Sequence, residues 1–299
     1  VVLAPRGERL RPGEPAEIDV ETRYLFGAPG SGLEISGEVS VEEASVSAVP
    51  SLEGFTVGLD DEDFEASTVE LEETVTTDAE GRATVRAPIQ EVTAPRPTQA
   101  RVVLRVGEPG GRAVERRIVL PILPSGPVIG IRKAFGELKD GDTATFEAVL
   151  AAPDGRRLAK SGVAWTLSRV EKRYQWYNSE GRWGYEPIQS VRRVADGRLD
   201  LTADAVARIT APVNWGSYRL DIAAPDLGES AHTSLSFTVG WSGNATAEAP
   251  DHLELNLDRA SYRTGDTMKV RLSPRFGSKA TLAVVGDRVQ AIRVVDVPA

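Results

Sequence analysis

One ten-residue line is written three times in this chain: Arg11-Pro12-Gly13-Glu14-Pro15-Ala16-Glu17-Ile18-Asp19-Val20, then Lys139-Asp140-Gly141-Asp142-Thr143-Ala144-Thr145-Phe146-Glu147-Ala148, then Arg263-Thr264-Gly265-Asp266-Thr267-Met268-Lys269-Val270-Arg271-Leu272. Each copy is a turn carrying a glycine and an acid, followed by alternating apolar and polar residues, the mark of a strand with one buried face. The three glycines stand 128 and 124 residues apart. That period is too long for the stacked units of a solenoid, which run ~20–50 residues. It fits one folded module per repeat, so the chain reads as a row of similar β modules.

Length fixes how many. The 299 residues hold two complete modules and the opening of a third, because only 34 residues follow Gly265. The expected division is 1–123 and 124–243 for the two complete sandwiches and 250–299 for the truncated third. Val1 starts the chain without a methionine and Met268 is the only one in the sequence, so an internal piece of a longer protein is expected. A module of ~120 residues can bury a self-supporting core without staples, in keeping with a sequence that contains no cysteine. Disulfides and thiolate metal sites are thereby excluded. A balance of 35 basic against 44 acidic residues, net −9, argues against a nucleic-acid surface. No apolar run approaches the ~20 residues of a spanning helix. The best candidate, residues 118–131, is broken by Pro121, Pro124 and Pro127.

Short runs rich in valine, isoleucine and leucine predict strands at 17–24, 33–41, 69–75, 101–106 and 116–122 in the first module. In the second they predict strands at 142–150, 162–169, 191–194, 198–201, 216–223 and 234–239. Turn clusters such as Gly27-Ala28-Pro29-Gly30-Ser31-Gly32 separate them. The expectation is an all-β chain of tandem antiparallel sandwiches with about seven strands each. No sustained 3.6-residue stripe predicts a helix. Asp196-Gly197-Arg198 is matched to Glu80-Gly81-Arg82 as a second repeated turn. The joint Leu123-Pro124-Ser125-Gly126-Pro127 is short and proline-stiffened, and the one at 243–250 is expected to flex more.

The most unusual local stretch is Tyr174-Gln175-Trp176-Tyr177-Asn178-Ser179-Glu180-Gly181-Arg182-Trp183-Gly184-Tyr185. Folded as a hairpin about Ser179-Glu180, it sets Trp176 opposite Trp183 and Tyr174 opposite Tyr185, with all four aromatics on one face. These four residues are the candidate surface, either packing within or between modules or stacking on an external sugar or peptide. Packing is the preferred reading.

Catalytic constellations are missing. His232 and His252 are the only histidines, and neither belongs to a recognisable triad, strained nucleophile turn, phosphate loop or zinc helix. The acidic run Asp60-Asp61-Glu62-Asp63 is read as a solvated loop in preference to a cation site, because it lacks the glycine-bearing calcium-loop pattern. No catalytic residue, metal or cofactor is assigned.

Several segments together resemble the macroglobulin-like domains of bacterial alpha-2-macroglobulins. They are Arg23-Tyr24-Leu25-Phe26-Gly27-Ala28-Pro29-Gly30-Ser31-Gly32, Pro127-Val128-Ile129-Gly130-Ile131-Arg132, the aromatic hairpin, Gly216-Ser217-Tyr218-Arg219-Leu220, Tyr262-Arg263-Thr264-Gly265-Asp266 and residues 280–289. The resemblance implies fibronectin- or immunoglobulin-like sandwiches from the middle of a large periplasmic or envelope protease inhibitor, with a lipid anchor on that parent as one option. Such a parent traps proteases after a bait segment is cut, in many members through a Cys–Gln thioester. A chain without cysteine would then be scaffold, a monomer whose partners are the other domains of the parent and, through it, target proteases. The competing expectation is a surface sandwich array that binds glycans or peptides through the aromatic hairpin.

Overall fold

The computed structural model describes residues 1–90, 94–107, 111–179, 182–242, 254–259, 261–273 and 278–297, and among these the side chains of all but 172–189, 241, 242, 254, 273 and 278. The chain is all-β. Its helical content among the described residues is three single 3-10 turns, at Pro50–Leu52, Pro225–Leu227 and Glu229–Ala231.

The first sandwich is built from β1 (Val2–Pro5), β2 (Ala16–Glu21), β3 (Glu34–Glu43), β4 (Thr56–Val57), β5 (Ser67–Glu70), β6 (Val75–Thr76), β7 (Arg82–Ala87), β8 (Thr98–Gly107) and β9 (Val114–Ile122). One sheet runs β1-β2-β7 and the other β5-β3-β8-β9, with β6 also on β3. The second sandwich uses β10 (Val128–Lys133), β11 (Thr143–Ala151), β12 (Lys160–Ser179), β13 (Arg182–Leu201), β14 (Ala207–Pro212), β15 (Gly216–Ala223) and β16 (His232–Val239). Its sheets run β4-β10-β11-β14 and β13-β12-β15-β16; β4 aside, the strand order matches that of the first sandwich, which carries β6 in addition. A third set comprises β17 (Trp241–Ser242), β18 (Glu254–Leu257), β19 (Val270–Ser273), β20 (Ser278–Val285) and β21 (Val289–Val297), paired as β17-β18-β19 and β20-β21.

The strand after each repeated turn shows why the alternation matters. In β2 the residues Ala16, Ile18 and Val20 are buried while Glu17, Asp19 and Glu21 lie on the half-exposed face. Ile18 and Val20 join Ile35, Val39, Val85 and Leu104 in the first core. In β11 the same positions carry Ala144, Phe146 and Ala148, which enter the second core with Leu167, Leu220 and Ile222. Phe146 meets Phe135 and Phe237 there at ring-centroid distances of 5.2 Å, within the range for favourable aromatic pairs. On the outer face Arg6 bridges Asp19 and Glu17. Hydrogen bonds from Arg6 first, then from Thr84, hold the Asp19 carboxyl below the usual range.

The turns themselves repeat in geometry. Gly13, Gly141 and Gly265 have φ of +74°, +84° and +98°. In each, the amide two residues after the central proline, aspartate or threonine donates back to Arg11, Lys139 or Arg263 at 3.0–3.2 Å. A left-handed third residue under such a bond is a type II turn, which selects glycine. A Cβ at any of the three would meet nothing within 4 Å, so backbone conformation, not space, requires the glycine. In two copies the acid adds a bond, Asp142 accepting from the Lys139 amide at 2.8 Å and Asp266 from the Arg263 amide at 2.9 Å.

Three local expectations are corrected. The strand expected over 69–75 is split into β5 and β6, which pair with different parts of β3. The runs 191–194 and 198–201 belong to the single long β13. Asp196-Gly197 accordingly lies inside a strand and is no turn: Gly197 sits opposite Trp165, and a Cβ there would fall 2.9–3.0 Å from the indole. The glycine makes room for a ring. By pairing, the counterpart of β7 is β14.

Candidate functional site at the junction of the sandwiches

The connection from β3 to β5 does not turn back over its own sandwich. Residues 49–61 leave it and lie along the second one. Val49, which precedes a 3-10 turn started by Pro50, and Leu52, which ends it, are 1% and 2% exposed and pack with Val128, Val149 and Ala151 of β10 and β11. Phe55 and Val57 complete this small core. β4 then adds to the outer edge of β10 as an antiparallel strand, with Val57 opposite Gly130 and Thr56 opposite Ile131. Residue 130 must be small: a Cβ would lie 3.0 Å from Leu52 Cδ2 and 3.0 Å from Phe55 Cβ.

Past β4 the chain bridges the two sheets of the second sandwich. The Gly58 amide donates to Thr233 Oγ1 at 3.1 Å, and the same hydroxyl donates to the Ile129 carbonyl at 2.6 Å. The Ser234 amide donates to Gly58 O at 3.0 Å. One segment of the first module thus ties β10 to β16, the edge strands of opposite sheets, and covers groups that an open edge would leave unpaired. On its other side the segment is held by its own module. The Leu59 amide donates to Pro95 O at 2.7 Å, and Arg96 reaches the carbonyls of Leu59 and Asp60 and the carboxylate of Glu43.

The first two residues of the acidic run close the contact. Asp60 accepts from the Ser236 amide and hydroxyl and from Ser234 Oγ. Asp61 accepts from Arg219 and from Ser234 Oγ at 3.2 Å. Arg219 also binds Asp221 at 2.9 Å, and His232 Nε2 lies 3.3 Å from the same carboxylate. The expected solvated loop is therefore corrected at Asp60 and Asp61, which are tied to β15 and β16.

Two arginines frame the apolar patch. Arg132 and Arg157 stand 4.5 Å and 5.5 Å from the Phe55 ring centroid, and Arg157 donates to Ser51 O at 2.9 Å. Burial pulls the Arg157 guanidinium below its ordinary value, with repulsion from Arg132 adding to it. Arg132 in turn donates to Glu147, and that hydrogen bond holds the Glu147 carboxyl below its usual range against the opposing cost of burial. Cations over an aromatic face are attracted to it, so Phe55 is held from above as well as from the side.

The sequence reading missed this segment. Its signal was the alternation Phe55-Thr56-Val57 bracketed by Gly54 and Gly58, too short to register as a strand. The residues it did select, Tyr174, Trp176, Trp183 and Tyr185, have side chains outside the described residues. Their backbone register is described and corrects the expected pairing by two residues: Trp176 stands opposite Tyr185, Asn178 opposite Trp183 and Tyr174 opposite Pro187. The strands pair as far as Ser179 and Arg182. His252 also lies outside the described residues. Among the described residues no group of three or more histidines and carboxylates is placed to hold a metal ion.

Comparison with known proteins matches residues 1–124 to the profile described as the bacterial alpha-2-macroglobulin MG5 domain and residues 130–241 to bacterial macroglobulin domain 6. The alpha-2-macroglobulin of Xylella fastidiosa strain 9a5c is 30% identical over 96% of this chain and 18% of its own length. That of Escherichia coli K12 is 31% identical over 90% of this chain and 17% of its own. The native conformation of the E. coli alpha-2-macroglobulin superposes with a TM-score of 0.67 at 28% identity, over 99% of this chain and 20% of that one. The chain therefore spans about a fifth of the length of these relatives.

Proposed function

We propose, since this chain belongs to the bacterial alpha-2-macroglobulin family, that it is a non-catalytic scaffold segment of a longer protease inhibitor. In that parent, cleavage of an exposed bait segment elsewhere in the polypeptide releases a conformational change that traps the attacking protease. The reading places the parent in the periplasm or cell envelope as a monomer, with its own other domains and target proteases as partners. The sequence contains no cysteine, so a Cys–Gln thioester has no place among these residues and any covalent capture would be the work of another region.

One observation carries the scaffold reading: a strand of the first sandwich is hydrogen-bonded into the second. Contacts between domains of one chain are by default mobile, but β4, its apolar patch and the Asp60–Asp61 ties oppose such motion at this junction. Stored strain can act at a distance only through such rigid members, which reorient when a trigger is cut.

The test is made on the full-length protein. Proteases are added at substoichiometric amounts, and their activity is read on a protein substrate and on a small peptide, with small-angle scattering before and after. Protection of the protein substrate together with a changed scattering envelope supports the reading. Undiminished proteolysis with an unchanged envelope overturns it.

A further inference from the structure

β15 supports β12 only from Ala164 to Val170. Beyond that point, among the described residues, β12 and β13 pair only with each other, from Glu171–Ser190 to Ser179–Arg182. These are nine residue pairs, which at ~3.3 Å per residue carry the ribbon about 30 Å past the edge of its sheet. A two-stranded ribbon is marginal in water without a third strand or a packed face. Its root is also re-aimed. Leu167 is opposite Ala195 and Ser168 opposite Arg193, so Val194 is an extra residue on β13, a bulge of the kind that bends a strand and turns its far side. Next to it Val191 and Val194 are 59% and 39% exposed, apolar β-branched side chains where the solvent face of a strand ordinarily carries polar ones.

The internal repeat gives this element a counterpart. β12 and β13 are the counterparts of β3 and β5, since the two sandwiches share one strand order. In the first sandwich the connection between those two strands leaves its own module and seats on the neighbour. In the second sandwich the same connection is the ribbon. We propose that the β12–β13 ribbon is a docking arm, and that it seats against a further macroglobulin-like module of the same longer polypeptide outside residues 1–299. The partner rests on the reading of the chain as part of a larger alpha-2-macroglobulin, of which it spans about a fifth of the length.

The test uses the full-length protein with the photo-crosslinking residue p-benzoylphenylalanine in place of Val191. The expected product is an intramolecular crosslink to a peptide beyond residues 1–299, with a yield independent of protein concentration. Crosslinks confined to residues 1–299, crosslinks to a second copy that grow with concentration, or no crosslink overturn the proposal. Hydrogen exchange gives a second readout. In the full-length protein the amides of 172–179 and 182–189 are expected to be protected, and Val191→Glu with Val194→Glu to speed their exchange at least about tenfold while β15 is unchanged. Ribbon amides that exchange freely in the unaltered protein, or that the variant leaves equally protected, also overturn it. Failure of protease trapping would sink the inhibitor reading and leave the crosslink result standing, so the two are separable.

Discussion

Gly130→Ala inverts the usual sign of a glycine substitution in a strand. Gly130 has no positive φ, so alanine is conformationally acceptable, and replacing glycine inside a strand ordinarily stabilises by about 0.5–1 kcal/mol. Here the new methyl lies 3.0 Å from Leu52 Cδ2, 3.0 Å from Phe55 Cβ and 3.2 Å from Phe55 Cδ1. Leu52 can rotate, but Phe55 Cβ is fixed to the backbone that leads into β4, and Arg132 and Arg157 frame its ring. Overpacking of this kind costs about 1–3 kcal/mol. The net expectation in the intact chain is a loss of about 0.5–2 kcal/mol after the intrinsic gain is subtracted. If residues 48–61 are replaced by a glycine–serine linker, the obstacle is gone and the same substitution should stabilise the second sandwich by about 0.5–1 kcal/mol. Urea unfolding followed by tryptophan fluorescence reads both, as a midpoint shift at unchanged slope. Equal effects in the two backgrounds, whichever their sign, would refute a structural weld at β4.

Four further outcomes follow from the same contacts. Asp60→Ala should uncouple the sandwiches by about 1.5–3 kcal/mol, the range for hydrogen bonds to a charged group, and a double-mutant cycle with Ser236→Ala should show that the two losses do not add. Gly141→Ala should cost about 1–2 kcal/mol because φ of +84° is left-handed, with Gly141→Asn costing less, both read by thermal unfolding. Tyr218→Phe removes a hydroxyl that donates to Asn214 O at 2.8 Å and accepts from the Asn214 amide at 3.0 Å, the corner bond of immunoglobulin-like sandwiches. Its expected loss is about 1 kcal/mol by the same assay. The Glu147 carboxyl is held below its ordinary 4.5 chiefly by the Arg132 hydrogen bond. Its contribution is complete above that value and is lost as pH falls through the lower folded one. Arg132→Gln should raise the Glu147 midpoint in an NMR titration, and an unmoved midpoint would exclude Arg132 as the cause.

Much of the fold is legible in the residues because strand alternation and turn chemistry are local. Gly13, Gly141 and Gly265 announce three equivalent turns, and the buried residues of β2 and β11 follow from the period of two. Legibility stops where one residue serves two local readings. Asp196-Gly197 reads as a turn from composition and is a strand because Trp165 fills the space beside it. The hairpin at 174–185 was recognisable as a hairpin, yet its register depends on which two residues form the connection. At the junction, Asp60 and Asp61 look like any exposed acidic pair, and only the approach of β16 gives them partners.

By itself the sequence determined the module, its period and its strand chemistry, since each depends on residues adjacent in the chain. Only the tertiary structure decided that the modules are joined by more than their proline-rich linker. Val57 meets Gly130 and Asp60 meets Ser236 across separations of 73 and 176 residues. No local pattern records a contact whose two halves are each satisfactory, in isolation, as loop and strand edge.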